Sequence, residues 1–433
     1  MRLNKLNSFR HIYYEQQGGY LFLPVFIMLV FSFVAIILPM TEQNIPHKFL
    51  WLEKDVWLAP SDPAIAQLFL GAIAGSCITV LSVVYSVLLI VLTFASIQFS
   101  PRILTSFLKD RVTQYTLGLF IGTFAYCLIC LPSIHQGQDV FVPRFSLIVA
   151  LFLASACLFV LIYFIHHIAL AIQVNYIVDR ISRETEVVLR NLFGESFVGA
   201  PRVEEPLSEP DGATAVSTRS GYIQYLDEGR LLAITSASEV SIFVHRSVGQ
   251  FIPAGIKLIT ISPVACATDA LATRCLACFH LGPLRSMQDD VEFGVLQLVD
   301  IALKAISPAV NDPSTAIACI DHLSSFLAVA ATLEPPVSRV FDERGLLRIT
   351  RRQTSFPRLL EIAYNQIGPY GKNDMAVSLR LMRALQDIST VTAYPPYLEA
   401  IEKQARRVAK ACKASFLEED CQELLERLAN IQR

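Results

Sequence analysis

The sequence predicts a membrane α-helical protein: four transmembrane helices, then a cytoplasmic α+β region with a small β module and a helical C-terminal domain. Three observations carry this. Of 433 residues, 53% are hydrophobic and 17% charged, with a mean hydropathy of +0.47. That balance is too apolar for a water-soluble globule and too mixed for a chain embedded throughout. Long charge-free segments fill the chain before Asp179, and after it charges return with shorter hydrophobic periods. The net charge of -2 offers no basic footprint, which argues against nucleic acid as a partner.

The charge-free segments run from Gln16 to Thr41, Pro63 to Pro101, Val112 to Gln138 and Phe145 to Val178, each long enough to cross a bilayer as a helix. The first follows Arg2, Lys5 and Arg10, exceeds a signal-peptide core and lacks a small-residue cleavage site, so it is expected to remain as an anchor. Arg102, Lys109 and Arg111 separate the second and third segments, and Arg180, Arg183 and Arg190 follow the fourth. The other loops lack this excess: Lys48 and Lys54 meet Glu42, Glu53, Asp55 and Asp62, and the loop at Asp139 holds only Arg144. The positive-inside rule then puts both termini in the cytoplasm. Trp51 and Trp57 suit an interfacial anchor or a small cap over the bundle.

The second segment has 39 uncharged residues. As one helix it would span about 58 Å, nearly twice a hydrocarbon core of roughly 30 Å. Along it Gly75, Thr79, Ser82, Ser86, Thr93, Ser96 and Ser100 recur at spacings of four and three, interrupted where Leu89 takes its turn. This places small and hydroxyl residues on one seam. Such a seam suits close helix contact, with hydroxyls bonded across the contact or back to their own carbonyls. The second, sharper reading is a wet face, lining a pore when several copies surround an axis, although no charged ring accompanies it.

Gly118 and Gly122 in the third segment have the small-xxx-small spacing of close helix contact. His166 and His167 in the fourth point about 100° apart on a helix, so they cannot grip one ion from one face. Hydrogen-bonded or interfacial histidines are the expectation there. All ten cysteines read as reduced thiols, four within apolar spans and six in the cytoplasmic part.

The expected domains are 1–198, a transmembrane bundle with a helical extension; 199–219, a Pro- and acid-rich linker; 220–284, the β module; and 285–433, the helical domain. Within the module, Ile223 to Leu226, Leu231 to Thr235, Val240 to Val244 and Lys257 to Ile261 read as strands. Its pattern of glycines and short apolar runs resembles half of a barrel-sandwich domain of the biotinyl and lipoyl type. No lysine stands at a hairpin tip to carry a prosthetic group, so no cofactor is expected. Cys266, Cys275, Cys278 and His280 contain a Cys-x-x-Cys half-site for zinc, but its second half would have to fold back from an apolar run, and buried thiols are favoured. Helices follow at Val291 to Ile306, Pro313 to Ala330, Phe356 to Ile367, Asp374 to Thr390 and Tyr397 to Gln432. Asp312 stands as an N-cap with Pro313 at the first helical position.

Gln98-Phe99-Ser100-Pro101-Arg102, Arg285 with Gln288-Asp289, and Ser307-Pro308-Ala309-Val310-Asn311-Asp312-Pro313-Ser314-Thr315-Ala316 together resemble a bacterial family of predicted integral inner-membrane proteins classed as a domain of unknown function. The resemblance implies a multi-pass protein of the bacterial inner membrane with four spans and a cytoplasmic tail, and it brings no catalytic residue.

Three classes of function remain. One is a homo-oligomeric channel or pore for a small ion or solute, with the second span at its centre. Another is a non-conducting scaffold or sensor. The third is a membrane-bound metal-dependent hydrolase using Asp300, Asn311, Asp312 and Asp321 with Lys304 and His322. Capping by Asp312 and an i,i+4 pair of Asp300 with Lys304 account for most of that set, and no nucleophile-base pair or Gly-rich phosphate loop accompanies it. Arg285, Arg351 and Arg352 are candidates for holding a nucleotide or lipid headgroup.

Overall fold

The computed structural model of the chain describes residues 21–44, 60–98, 110–135, 140–194, 207–417 and 419–431, with side chains up to Phe94 in the 63–98 helix. Two compact units result, Met1–Gln173 and Val174–Arg433.

The first unit is built from helices α1 (Phe22–Asn44), α2 (Pro63–Gln98), α3 (Arg111–Cys130) and α4 (Arg144–Ala171). Helix α3 touches the other three and is the least hydropathic of them. Its Thr113, Gln114, Thr116, Thr123 and Tyr126 are buried, and the Tyr126 hydroxyl donates to the Ser146 carbonyl at 3.0 Å. Polar groups at membrane depth need protein partners, which puts this helix in the middle and leaves its neighbours to present Phe33, Leu68, Phe152 and Phe159 outward. The Gly118 and Gly122 spacing seats α1: a Cβ at Gly118 would lie 2.7 Å from Ile27 Cδ1, and one at Gly122 2.8 Å from Phe31 Cδ2.

The fourth segment does not continue unbroken, as its composition suggested. Helix α4 stops at Ala171, and a separate α5 (Val174–Leu192) starts after Gln173 as part of the second unit. The pattern changes there from apolar all round to apolar on one face, with Ile177, Val178, Ile181, Val188 and Leu189 buried.

The second unit continues with β1 (Ala213–Val216), β2 (Gly221–Leu226), α6 (Glu228–Ala237), β3 (Ser241–Val244), β4 (Phe251–Ile252), β5 (Lys257–Ser262), α7 (Asp269–Leu276), β6 (Phe279–Gly282), α8 (Val291–Ala305) and α9 (Pro313–Ala330). It ends with β7 (Arg339–Phe341), β8 (Leu347–Arg351), α10 (Phe356–Tyr364), α11 (Ile367–Tyr370), α12 (Met375–Thr390), α13 (Pro395–Lys413) and α14 (Gln422–Ile431). One sheet has the order β1-β5-β3-β8-β7 and the other β4-β2-β6. All pairings are antiparallel except β3 with β8. Ile242, Val244, Ile259, Ile261 and Ile349 from the larger sheet share a core with Leu231, Cys275, Cys278 and Phe279.

Three expectations need correcting. Leu231 to Thr235 is helical, because Asp227 caps α6 by accepting from the Arg230 amide at 3.0 Å and Leu231, Ile234 and Thr235 then fall on its buried side. A short apolar run of this kind fits either period until its cap is considered. The β-rich segment is not closed on itself, since β8 inserts beside β3 in a mixed sheet unlike half of an antiparallel barrel-sandwich. The last helix is two, because the chain reverses after Lys413 and brings Cys412 and Cys421 into the core with their sulfurs 3.0 Å apart.

By length and composition alone, five described helices can cross a membrane: α1 to α4 and also α9. Helix α9 has 18 residues at a mean hydropathy of 1.2, against 1.7 to 2.8 for the others. It buries Cys319, Ile320, Leu323, Phe326 and Leu327 while packing on α5, α8 and α12.

Candidate functional site

Helix α2 has two different faces. Leu70, Ala74, Cys77, Leu81, Val84, Leu88 and Val91 are buried in the bundle. Gly75, Thr79, Ser82, Ser86 and Thr93 are all exposed, and a Cβ at Gly75 would meet nothing within 4 Å. Each hydroxyl donates back to its own helix: Thr79 to the Gly75 carbonyl at 2.8 Å, Ser82 to Ile78 at 3.0 Å, Ser86 to Ser82 at 2.9 Å and Thr93 to Leu89 at 2.8 Å. Among the described residues no helix of the first unit covers the seam. The Ser96 side chain and all of Ser100 lie outside the described residues, as do Phe99, Pro101 and Arg102, while Gln98 ends α2.

Near one end of the bundle Asp110 caps α3, accepting from the Thr113 amide at 2.9 Å. A ring nitrogen of His167 lies 3.1 Å from its other oxygen. The adjacent histidines thus separate, one hydrogen-bonded and one, His166, exposed.

In the second unit the motif residues build turns and caps. Arg285 donates to both oxygens of Asp290 at 2.7 and 2.8 Å, and its guanidinium sits 5.3 Å from the centroid of the Phe293 ring. Asp290 also caps α8 through the Phe293 amide at 3.1 Å. Burial raises the Asp290 carboxyl above its ordinary value, and Arg285 pulls it back down. Gly249, at φ +86°, closes over the pair so tightly that a Cβ would lie 2.1 Å from Asp290 Oδ2. Gln288 and Asp289 are half-buried in the turn before it. Asp290 was the residue to single out there, and its signal was an acid directly before the apolar period of α8.

The Ser307 to Thr315 motif forms the α8–α9 turn. The Ser307 carbonyl accepts from the Val310 and Asn311 amides at 3.0 and 2.9 Å, and Asn311 takes φ +50°. Asparagine tolerates that left-handed conformation better than most residues. Asp312 then caps α9, accepting from the Thr315 amide at 3.1 Å and from its hydroxyl, with Pro313 in the first turn. Pro308 is exposed.

Asp321 is engaged by Arg380. Among the described residues no three His, Cys, Asp or Glu side chains are placed to hold a metal ion. Cys266 is exposed whereas Cys275 and Cys278 are buried, and burial pushes both of those thiols up to about 11. Of the three candidate arginines, Arg285 is committed to Asp290 and Arg351 to Glu228, while Arg352 is exposed.

A bundle of apolar helices packed around α3, whose buried face carries Thr113, Gln114, Thr116, Thr123 and Tyr126, followed by an α/β unit with its own core, defines a membrane protein. The chain belongs to the family of predicted membrane proteins DUF2254, which matches residues 17–387. It is 33% identical over 365 residues to the uncharacterized proteins Mb1321c of Mycobacterium bovis and Rv1290c of Mycobacterium tuberculosis, covering 82% of this chain and 70% of each of theirs. No solved structure matches the chain.

Proposed function

We propose that the protein is a homo-oligomer of the bacterial inner membrane in which α2 of each copy meets its counterparts along the Gly75-Thr79-Ser82-Ser86-Thr93 seam, enclosing a path for a small ion or solute. The observation that supports this is the direction of the seam. The face of α2 used inside the protomer is apolar, and the small and hydroxyl face points away from it. Lipid gives no reason to gather such residues on one stripe, whereas a close helix contact or a wet lumen does. In this reading α1 to α4 span the bilayer and the second unit, including α9, lies in the cytoplasm with both termini. The packing of α9 on the charge-bearing helices α5, α8 and α12 favours leaving it out of the membrane.

The back-bonded hydroxyls support a second reading, a closed scaffold. A hydroxyl already donating to its own helix can sit in a dry contact. Single cysteines at Thr79, Ser82, Ser86 and Thr93, in a background lacking Cys77, separate the two. Reaction with a small aqueous thiol reagent, and altered bilayer conductance in Ser86→Leu, are expected of the pore. Inert cysteines with disturbed assembly in Ser86→Leu would leave the scaffold. A monomeric protein with lipid-labelled seam positions would overturn both.

A further inference from the structure

The parallel strands β3 and β8 end together at a small basic cavity of about 240 Å³, lined by Phe243, His245, Arg246, Ile256, Lys257 and Arg352. Register brings these residues together. Val244 lies opposite Arg351, so His245-Arg246 and Arg352 leave the sheet side by side, and antiparallel β5 starts at the same edge with Lys257. Carboxyl ends of parallel strands are where open α/β sheets receive ligands.

The charges there do not balance. Lys257 is engaged by Glu209, whose carboxylate also accepts from the Thr260 hydroxyl at 3.1 Å. Arg246 and Arg352 are exposed, and neither guanidinium has a carboxylate partner among the described residues. His245, 2.8 Å from Thr260 Oγ1 and 3.7 Å from Glu209, is held below its ordinary pKa by burial, with Lys257 and the two arginines adding to that and Glu209 opposing it. It is a neutral hydrogen-bonding group at neutral pH. Arg246 and Arg352 both line this one cavity, and an arginine fork pairs bidentately with phosphate oxygens. The volume falls below the roughly 300 Å³ at which pockets for whole drug-sized ligands begin. It suits an anionic group better than an entire cofactor.

We propose that this cavity binds a phosphoryl or pyrophosphoryl group between Arg246 and Arg352, and that Glu209 is its internal competitor, releasing Lys257 when the anion enters. A soluble phosphate ester and a lipid headgroup present the same group. The proposal is independent of whether α2 lines a pore.

Full-length protein in neutral detergent, titrated calorimetrically with inorganic pyrophosphate, tests the soluble source. The same protein in nanodiscs with or without phosphatidic acid, read by native mass spectrometry for retained lipid, tests the membrane source. At least one probe is expected to bind, about tenfold more weakly in Arg246→Gln and in Arg352→Gln, and more tightly in Glu209→Gln. Arg358→Gln, an exposed arginine on α10, should leave binding unchanged. The probe that binds identifies the source. No binding of either probe, unchanged affinity in both arginine variants, or an equal loss in Arg358→Gln overturns the proposal. The Glu209→Gln arm keeps the test decisive should an arginine variant fail to fold.

Discussion

Glu42, two residues before the end of α1, caps the start of α4 at Ser146. Its Oε1 accepts from the Ser146 amide at 2.7 Å and from the Ser146 hydroxyl at 2.6 Å, while Oε2 accepts from the Phe145 amide at 3.1 Å. A carboxylate from one helix thus satisfies the first amides of another, where the helix dipole also favours negative charge. Glu42→Ala should cost about 2 kcal/mol, since it removes a cap and orphans buried donors. Glu42→Gln should cost less, because one acceptor oxygen remains. Thermal unfolding of the purified protein in detergent measures both.

Glycines on two faces of the bundle should respond oppositely to enlargement. Gly122→Leu drives a side chain into Phe31, so loss of the folded protomer is expected. Gly75→Leu enters open space, so the protomer should fold normally and only its association should weaken. Size-exclusion chromatography with light scattering, beside a thermal melt, reads the two effects separately. A Gly75→Leu protein of unaltered mass would count against assembly along the seam.

Asp290→Ala removes the counter-ion of a largely buried arginine and the cap of α8 together. A loss of about 3 kcal/mol is expected, most of it from the stranded charge. Gly249→Ala should be damaging by the same route, because its methyl group would occupy the place of the Asp290 carboxylate. Hydrogen exchange across residues 247–252 and 285–296 localises either effect.

The β7–β8 hairpin supplies a pH dependence. The Asp342 carboxyl accepts from the Leu346 amide at 2.9 Å, from Arg348 Nε at 2.8 Å and from the Arg344 amide at 3.0 Å, which holds it below its ordinary value. A folded value below the unfolded one means the stabilisation is complete above the unfolded value and disappears as pH falls through the folded one. The difference in melting temperature between wild type and Asp342→Asn should therefore be full above about pH 5 and close as pH falls below about 4.

Local chemistry was the legible part of this chain. Asp312 and Pro313 announce the start of α9 because capping needs only neighbours in sequence, and β2, β3 and β5 declare themselves by β-branched runs between glycines. The direction of the α2 seam was not legible, since Leu81 on the inner face and Leu89 on the outer are both apolar and only the bundle tells them apart. The basic cavity was hidden for a different reason. Arg352 stood among the candidate arginines with Arg285 and Arg351, whereas Arg246 carried no signal, and only the parallel pairing brings Arg246 and Arg352 to one cavity. Asp290 was overshadowed by Asp289, its equal in chemistry but not in burial.

The pairing of β3 with β8 joins stretches about a hundred residues apart. A ribosome adding about 5–20 residues per second therefore leaves one side of β3 unpaired for several seconds, long after α1 to α4 have been synthesised. Nascent chains halted before Leu347 carry an open strand edge of Ile242, Phe243 and Val244, a template for sticking to other chains. Truncated products of this length should aggregate or be degraded, whereas chains extended past Arg351 close that edge themselves.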